Sequence, residues 1–207
     1  MGMETFDSWS EALVRIVKYP HPTLRYKAKP LRRVDGELKS MVHQMFDLMY
    51  AQEGVGLAAN QVDLPYRLIV MNIKSDASAK EEEYAFINPV IVRRKGKIEE
   101  KEEGCLSLPQ IFAPVKRPQT IVLNAYNLAG QEVTWELDGM YARVVQHECD
   151  HLDGILFIDR LSPANLLAVK QALQDMEVAF GGERQRGLIP DDQLIAARLS
   201  ELELART

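Results

Sequence analysis

The stretch VVQHECDHLDG, residues 144–154, sets two histidines four apart with a glutamate directly after the first. On an α-helix, side chains four apart differ by roughly 40° and stack one turn above another, so His147 and His151 can place two imidazoles on one ion. Glu148, about 100° around from His147, borders such an ion and can hold a proton without occupying it. The flanks supply the helix that this reading needs. Asp138 stands at an N-cap, Met140, Val144 and Val145 continue the helical pattern, and Gly154 closes it. With four histidines in the whole chain, chance rarely produces this arrangement.

A catalytic site of this kind needs a third protein ligand and an open position for water. The metzincin extension would put a third histidine at position 157, which is Phe157; its glycine does match at Gly154, but a helix C-cap explains that residue equally well. A thermolysin-like downstream glutamate is not evident either, because Glu177 falls on a different predicted helix. Cys149 is about 200° around the helix from His147 and faces away, where a small buried hydrophobe fits. Cys105, in EEGCLSLP (102–109), is placed in a loop shaped by Gly104 and Pro109. It is the better ligand and gives a Cys/His/His site; an ordinary buried thiol is the plain alternative. One thiolate with two imidazoles suits iron(II) or zinc.

The rest of the chain reads as a frame for that helix. Hydrophobic content of 46% and charged content of 27% over 207 residues are ordinary for a globular protein built as one domain with extensions. A net charge of -5 offers no basic footprint for nucleic acid, and no apolar run is long enough to span a bilayer. The acidic start, Met1 to Ser10, lacks the apolar core of a leader, and Phe6 spoils a myristoylation motif at Gly2; a cytoplasmic protein with two reduced thiols is expected, an organelle remaining open. Residues 35–54 carry Leu38, Met41, Val42, Met45, Leu48 and Met49 at helical spacing, with His43 off that stripe as a surface histidine. Runs at 66–73, 84–100 and 119–139 are β-rich, the last with a hairpin turn at 128–130. A third helix spans 162–182, capped by Ser162, with Pro163 in its first turn and glycines at its end; a short amphipathic helix follows from about Asp191. The expected fold is α+β: β-rich sheets packed around a central HExxH helix, plus a C-terminal helix. The expected division is an N-terminal extension (1–17), a single catalytic domain (18–182) and a C-terminal tail (183–207).

Three stretches together resemble one family, the peptide deformylases. GVGLAANQ (54–61), EGCLS (103–107) and QHECDH (146–151) match its glycine-rich, cysteine and HExxH motifs, intact and in order, and the likeness runs from YPHPTLR near residue 19 to about residue 180. Carried over position by position, the resemblance implies Cys105, His147 and His151 as ligands of one divalent metal, iron(II) natively, with zinc or nickel as substitutes. It implies Glu148 as general base and then general acid, and the Gln61 amide and the Leu106 N–H as oxyanion donors. Backbone around Val55, Gly56 and Gly104 would hold an extended peptide. The implied reaction removes the formyl group from N-formylmethionyl nascent peptides, activated water attacking the formyl carbon. An apolar wall of Val55, Met140 and Val144 suits a methionine side chain.

Two departures stand out. Where the family often has a substrate-reaching arginine this chain has Phe112, with Arg117 retained downstream, so the outer contact is expected to be more apolar. Some members dock on the ribosome through a basic C-terminal helix, but here ANLLAVKQALQDMEVAF (164–180) sets Lys170 against Asp175 and Glu177. Two rival classes are a metallopeptidase, which would cut an unformylated peptide, and a closed structural zinc site, which would have no use for Glu148.

Overall fold

The computed structural model describes residues 15–207; the expectations about a leader, about Gly2 and about most of the 1–17 extension lie outside them. Helix α1 (Gly36–Ala51) starts where the Asp35 carboxylate accepts from the Leu38 N–H, and its stripe Leu38, Met41, Val42, Met45 and Met49 is buried while His43 is exposed. The stripe packs on β1 (Gly56–Ala58) and β2 (Leu68–Met71), forming one core with Leu57, Tyr66 and Val70. Two long strands follow, β3 (Tyr84–Cys105) and β4 (Leu108–Tyr126), then β5 (Glu132–Asp138). Among the described residues they form one antiparallel sheet in the order β1-β2-β3-β4-β5. The expected 128–130 turn joins β4 to β5, with Gly130 at φ +74°.

Helix α2 (Gly139–Leu152) runs through the middle. Every residue from Ala142 to Leu152 is buried. Its apolar side, Ala142, Val145, Cys149 and Leu152, packs on sheet residues Ile69, Phe86, Ile121 and Leu123. Its other side is polar yet equally buried, so each of those groups needs a partner or a function. Cys149 sits on the apolar side as expected, and burial pushes its thiol up to about 12.

Three expectations need correction. Cys105 is the last residue of β3, not part of a loop, and β4 begins at Leu108 although Pro109, Pro114 and Pro118 follow. Over this stretch β4 pairs only with β3, because pairing with β5 starts at Thr120, so prolines are tolerated along the open side. Helix α3 (Pro163–Gln185) runs through Gly181 and Gly182 and stops before Gly187, at φ +73°. An interior glycine costs only about 1 kcal/mol against alanine, too little to stop an established helix. Asp138 does stand at the N-cap of α2, but its side chain makes no capping bond. The last helix, α4 (Asp192–Arg206), is capped by Asp191 as expected. It docks on the body: Tyr66 donates to the Leu202 carbonyl at 3.0 Å, and Arg206 pairs with Asp35 at 2.6 Å and Glu37 at 2.5 Å.

Candidate metal centre

The β3–β4 turn brings Cys105 against the polar side of α2. One donor atom each from Cys105, His147 and His151 lie within 4.8 Å of one another, and Cys105 Sγ is 3.2 Å from His151 Nε2. A compact, largely buried set of one thiol and two imidazoles fits a divalent ion of borderline softness. Burial holds the His151 imidazole well below its ordinary value, which keeps it in the neutral form a ligand must have.

The orientation of His147 is set from behind. Its Nδ1 is 3.0 Å from Glu103 Oε2, which leaves Nε2 for an ion. Glu103 also accepts from Arg117 at 2.6 and 2.8 Å and from Arg143 at 2.6 Å. Burial alone would raise this carboxyl, but the His147 and Arg117 hydrogen bonds outweigh it and hold it at about 2. Arg117 extends the network to Asp150 at 2.8 Å, and Arg160 closes over Asp150 from outside. Glu103, Arg143, Asp150 and Arg160 were not singled out from the sequence. The signal was there for Arg143, a cation one turn before His147 on the same helix face.

Glu148 stands beside the cluster, 4% exposed, and its Oε2 has no hydrogen-bond partner among the described residues. Burial pushes its carboxyl up to about 7, with His147 and Arg117 pulling the other way. A carboxyl poised near neutrality in a cleft is suited to taking and returning a proton. The cleft, about 490 Å³, is lined by Val55, Gly56, Gln61, Gly104, Cys105, Leu106, Met140, Val144, His147 and Glu148. Of the site residues expected from the sequence only His151, 1% exposed, is not on its wall. Val144 is buried, whereas Met140 is half exposed at the rim.

The glycines serve close approach. A Cβ on Gly56 would fall 2.5 Å from Glu148 Oε1, and one on Gly104 would run into the Phe112 ring. Phe112 therefore lies across the Gly104 backbone at the cleft, 59% exposed, whereas Arg117 is 3% exposed and turned into the network instead of toward substrate. Gln61 is held tightly: its carbonyl oxygen accepts from the Ala58 N–H at 2.9 Å, and its amide nitrogen donates to Cys105 Sγ at 3.4 Å and Ser107 Oγ at 3.2 Å.

Known proteins resemble this chain along most of its length. The family model for polypeptide deformylase matches residues 13–166. A peptide deformylase of Rhodopirellula baltica is 44% identical over 93% of this chain and 94% of its own. A chloroplastic peptide deformylase of rice, Oryza sativa, is 39% identical over 89% of this chain and 67% of its own. Among solved structures, a plant peptide deformylase superposes with a TM-score of 0.82 at 37% identity, covering 90% of this chain and 99% of that one. The Plasmodium falciparum peptide deformylase gives 0.79 at 38% identity, covering 81% and 98%. No described helix is long and apolar enough to cross a membrane. A Cys/His/His cluster beside a buried glutamate, on a chain that matches the family at this identity and coverage, leads to one assignment: the protein belongs to the peptide deformylase family.

Proposed function

We propose that the chain hydrolyses the N-formyl group of N-formylmethionyl nascent peptides at the Cys105–His147–His151 cluster, with residues 18–182 as the catalytic unit. The observation that carries the reading is Glu148, a buried carboxyl whose Oε2 has no partner among the described residues, beside three metal donors. A closed structural site would give such a group nothing to do. Cys105, His147 and His151 would hold a divalent cation, which would supply Lewis acidity and activate water for attack. Iron(II) is the ion the family resemblance points to, and zinc or nickel suits the same donors.

The chain's own groups do the rest. Glu148 accepts a proton as the formyl carbon is attacked and delivers it to the leaving amine. The Leu106 N–H and the Gln61 amide meet the charge that develops on the formyl oxygen, one such donor typically being worth about 3 kcal/mol. Gln61 does this by sharing a donor that now faces Cys105 Sγ. The substrate backbone has two open strand edges to pair with. Among the described residues β1 pairs with β2 alone, and β2 covers only residues 84–87 of β3, so the backbone around Val55, Gly56 and Gly104 lies along open edges that suit an extended peptide, the Val55 carbonyl itself being taken by the Asn72 N–H at 3.1 Å. Val55, Met140 and Val144 take the methionine side chain, and Phe112 supplies apolar surface to the next residues of the peptide.

The compartment is one that starts translation with formylmethionine, a bacterial cytoplasm or an organelle such as that of the chloroplastic relative. Asp175 and Glu177, set against the single lysine Lys170 within residues 164–180, argue against ribosome docking through α3.

The test is an anaerobic assay of the iron(II)-loaded protein on formyl-Met-Ala-Ser beside Glu148→Ala and an unformylated control. Formate is released by the parent protein, and its rate falls about 10²- to 10⁴-fold in the variant. No formate from a protein that holds its metal overturns the reading, and cleavage of the control peptide would make it a peptidase.

A further inference from the structure

A short N-terminal segment, residues 17–19, is fastened to the turn that carries Cys105. The Val17 N–H donates to the Gln61 carbonyl at 2.8 Å, and the Tyr19 N–H donates to the Ser107 carbonyl at 2.9 Å. Between them Lys18 reaches to the cleft wall, where its ammonium donates to the Leu106 carbonyl at 2.7 Å. That carbonyl belongs to the Leu106–Ser107 peptide, and the N–H of the same peptide donates to Cys105 Sγ at 3.4 Å. Gln61, the other residue the segment holds, donates to the same sulfur at 3.4 Å. A continuous path of hydrogen bonds thus runs from a cation, through one amide, to the thiol. An amide whose oxygen accepts from a cation is polarised, and its N–H becomes a stronger donor.

We propose that Lys18 is a positioning residue of the metal centre, withdrawing electron density from the Cys105 sulfur through the Leu106–Ser107 amide and fixing the turn that presents it. The inference rests on Cys105 being a metal ligand. Hydrogen bonds to a ligating sulfur are among the means by which a protein tunes its metal, and a less donating thiolate leaves the ion more electrophilic. The same bond steadies Leu106, whose N–H is assigned to the oxyanion. A rim lysine that only ties down a loop would add stability and leave the sulfur's electronic state alone.

The experiment is to load the protein with cobalt(II) and record the sulfur-to-cobalt charge-transfer absorption in the parent, Lys18→Met, Lys18→Gln and Lys18→Arg, with thermal unfolding by circular dichroism on each. Methionine keeps the length of the stem and removes the charge. The absorption moves to longer wavelength in Lys18→Met, as the sulfur gives up its electrons more readily. It moves less in Lys18→Gln, which retains a neutral donor, and stays at the parent position in Lys18→Arg. Lys18→Gln decides the matter should the methionine variant not fold. An absorption that stays put in a folded Lys18→Met or Lys18→Gln overturns this inference alone, whatever happens to stability. A parent protein that binds cobalt without any such absorption removes Cys105 from the ligand set and takes the reading beneath it as well.

Discussion

Gly56→Ala adds one methyl group where β1 touches the catalytic helix. The new Cβ falls 2.5 Å from Glu148 Oε1 and 2.8 Å from Val144 Cγ1. Carbon contacts settle near 3.5 Å, so the carboxylate must retreat by on the order of 1 Å. The strand cannot yield instead, because Gly56 is paired with Met71 in the β1–β2 ladder and is itself buried. Overpacking of this kind costs about 1–3 kcal/mol of stability. At about 2–4 °C per kcal/mol for a chain of this size, the melting temperature falls visibly but the protein stays folded at room temperature. The larger effect is on rate: moving a reacting group by about 1 Å costs about 10²-fold. None of the three metal donors is touched, so metal content stays at the parent level and the loss falls on kcat. The assay is formate release from formyl-Met-Ala-Ser, with metal measured on the same sample. A Gly56→Ala protein with parental kcat would refute the reasoning, because the position of Glu148 would then not limit the reaction.

Other outcomes rest on the same geometry. Glu103→Ala leaves Arg143 with backbone carbonyls alone and strips one partner from Arg117, side chains that are 9% and 3% exposed. Denaturant unfolding should show a loss of about 3–5 kcal/mol, and metal affinity should drop about 10- to 100-fold as His147 loses its anchor; parental values in both would count against the network. Val144→Trp fills the apolar wall and raises KM for formyl-Met peptides, and an unchanged KM would sink the pocket assignment. At high pH the docking of α4 weakens. Tyr26 bonds Glu203 and Tyr66 bonds the Leu202 carbonyl, and burial first of all raises both phenols to about 12. The ordinary phenol value is about 10, so the folded protein keeps these protons longer than the unfolded chain does. Their contribution is complete below that value and drains away as pH climbs toward 12. Thermal melts across this window should fall less steeply in a Tyr26→Phe, Tyr66→Phe double variant; equal slopes would mean that these phenols do not hold the helix.

What the sequence made legible, and what it hid, divides along the range of the chemistry. His147, Glu148 and His151 were readable because helical geometry alone relates them. Cys105 is reached by elimination among two cysteines, yet it ends a strand and not a loop: Gly104 and Pro109 read locally as loop, and only the open side of β4 makes a proline there tolerable. The charged run from Glu99 to Glu103 is all alike in composition, although side chains alternate between the two faces along β3. Four of its members remain at the surface or nearly so, while Glu103, paired in register with Ala113, is buried.

Glu103, Arg117 and Arg143 are the deeper case, because no one of them is intelligible alone. Glu103 and Arg143 stand 40 positions apart, and either one buried singly would cost several kcal/mol. Brought together, with two cations around one carboxylate, they tolerate burial, and Glu103 Oε2, which also accepts from Arg117 at 2.8 Å, faces His147 Nδ1. That contact selects which nitrogen of His147 is free for an ion. Rings on a bare HExxH helix could rotate about their side-chain bonds; here the first is held in place by residues the motif does not contain. The second histidine has no such support, since its Nδ1 is buried and unpartnered among the described residues. The two imidazoles are therefore unequal: the Glu103 carboxylate makes His147 the stronger donor, while His151, 3.2 Å from the Cys105 sulfur, has no such partner behind it.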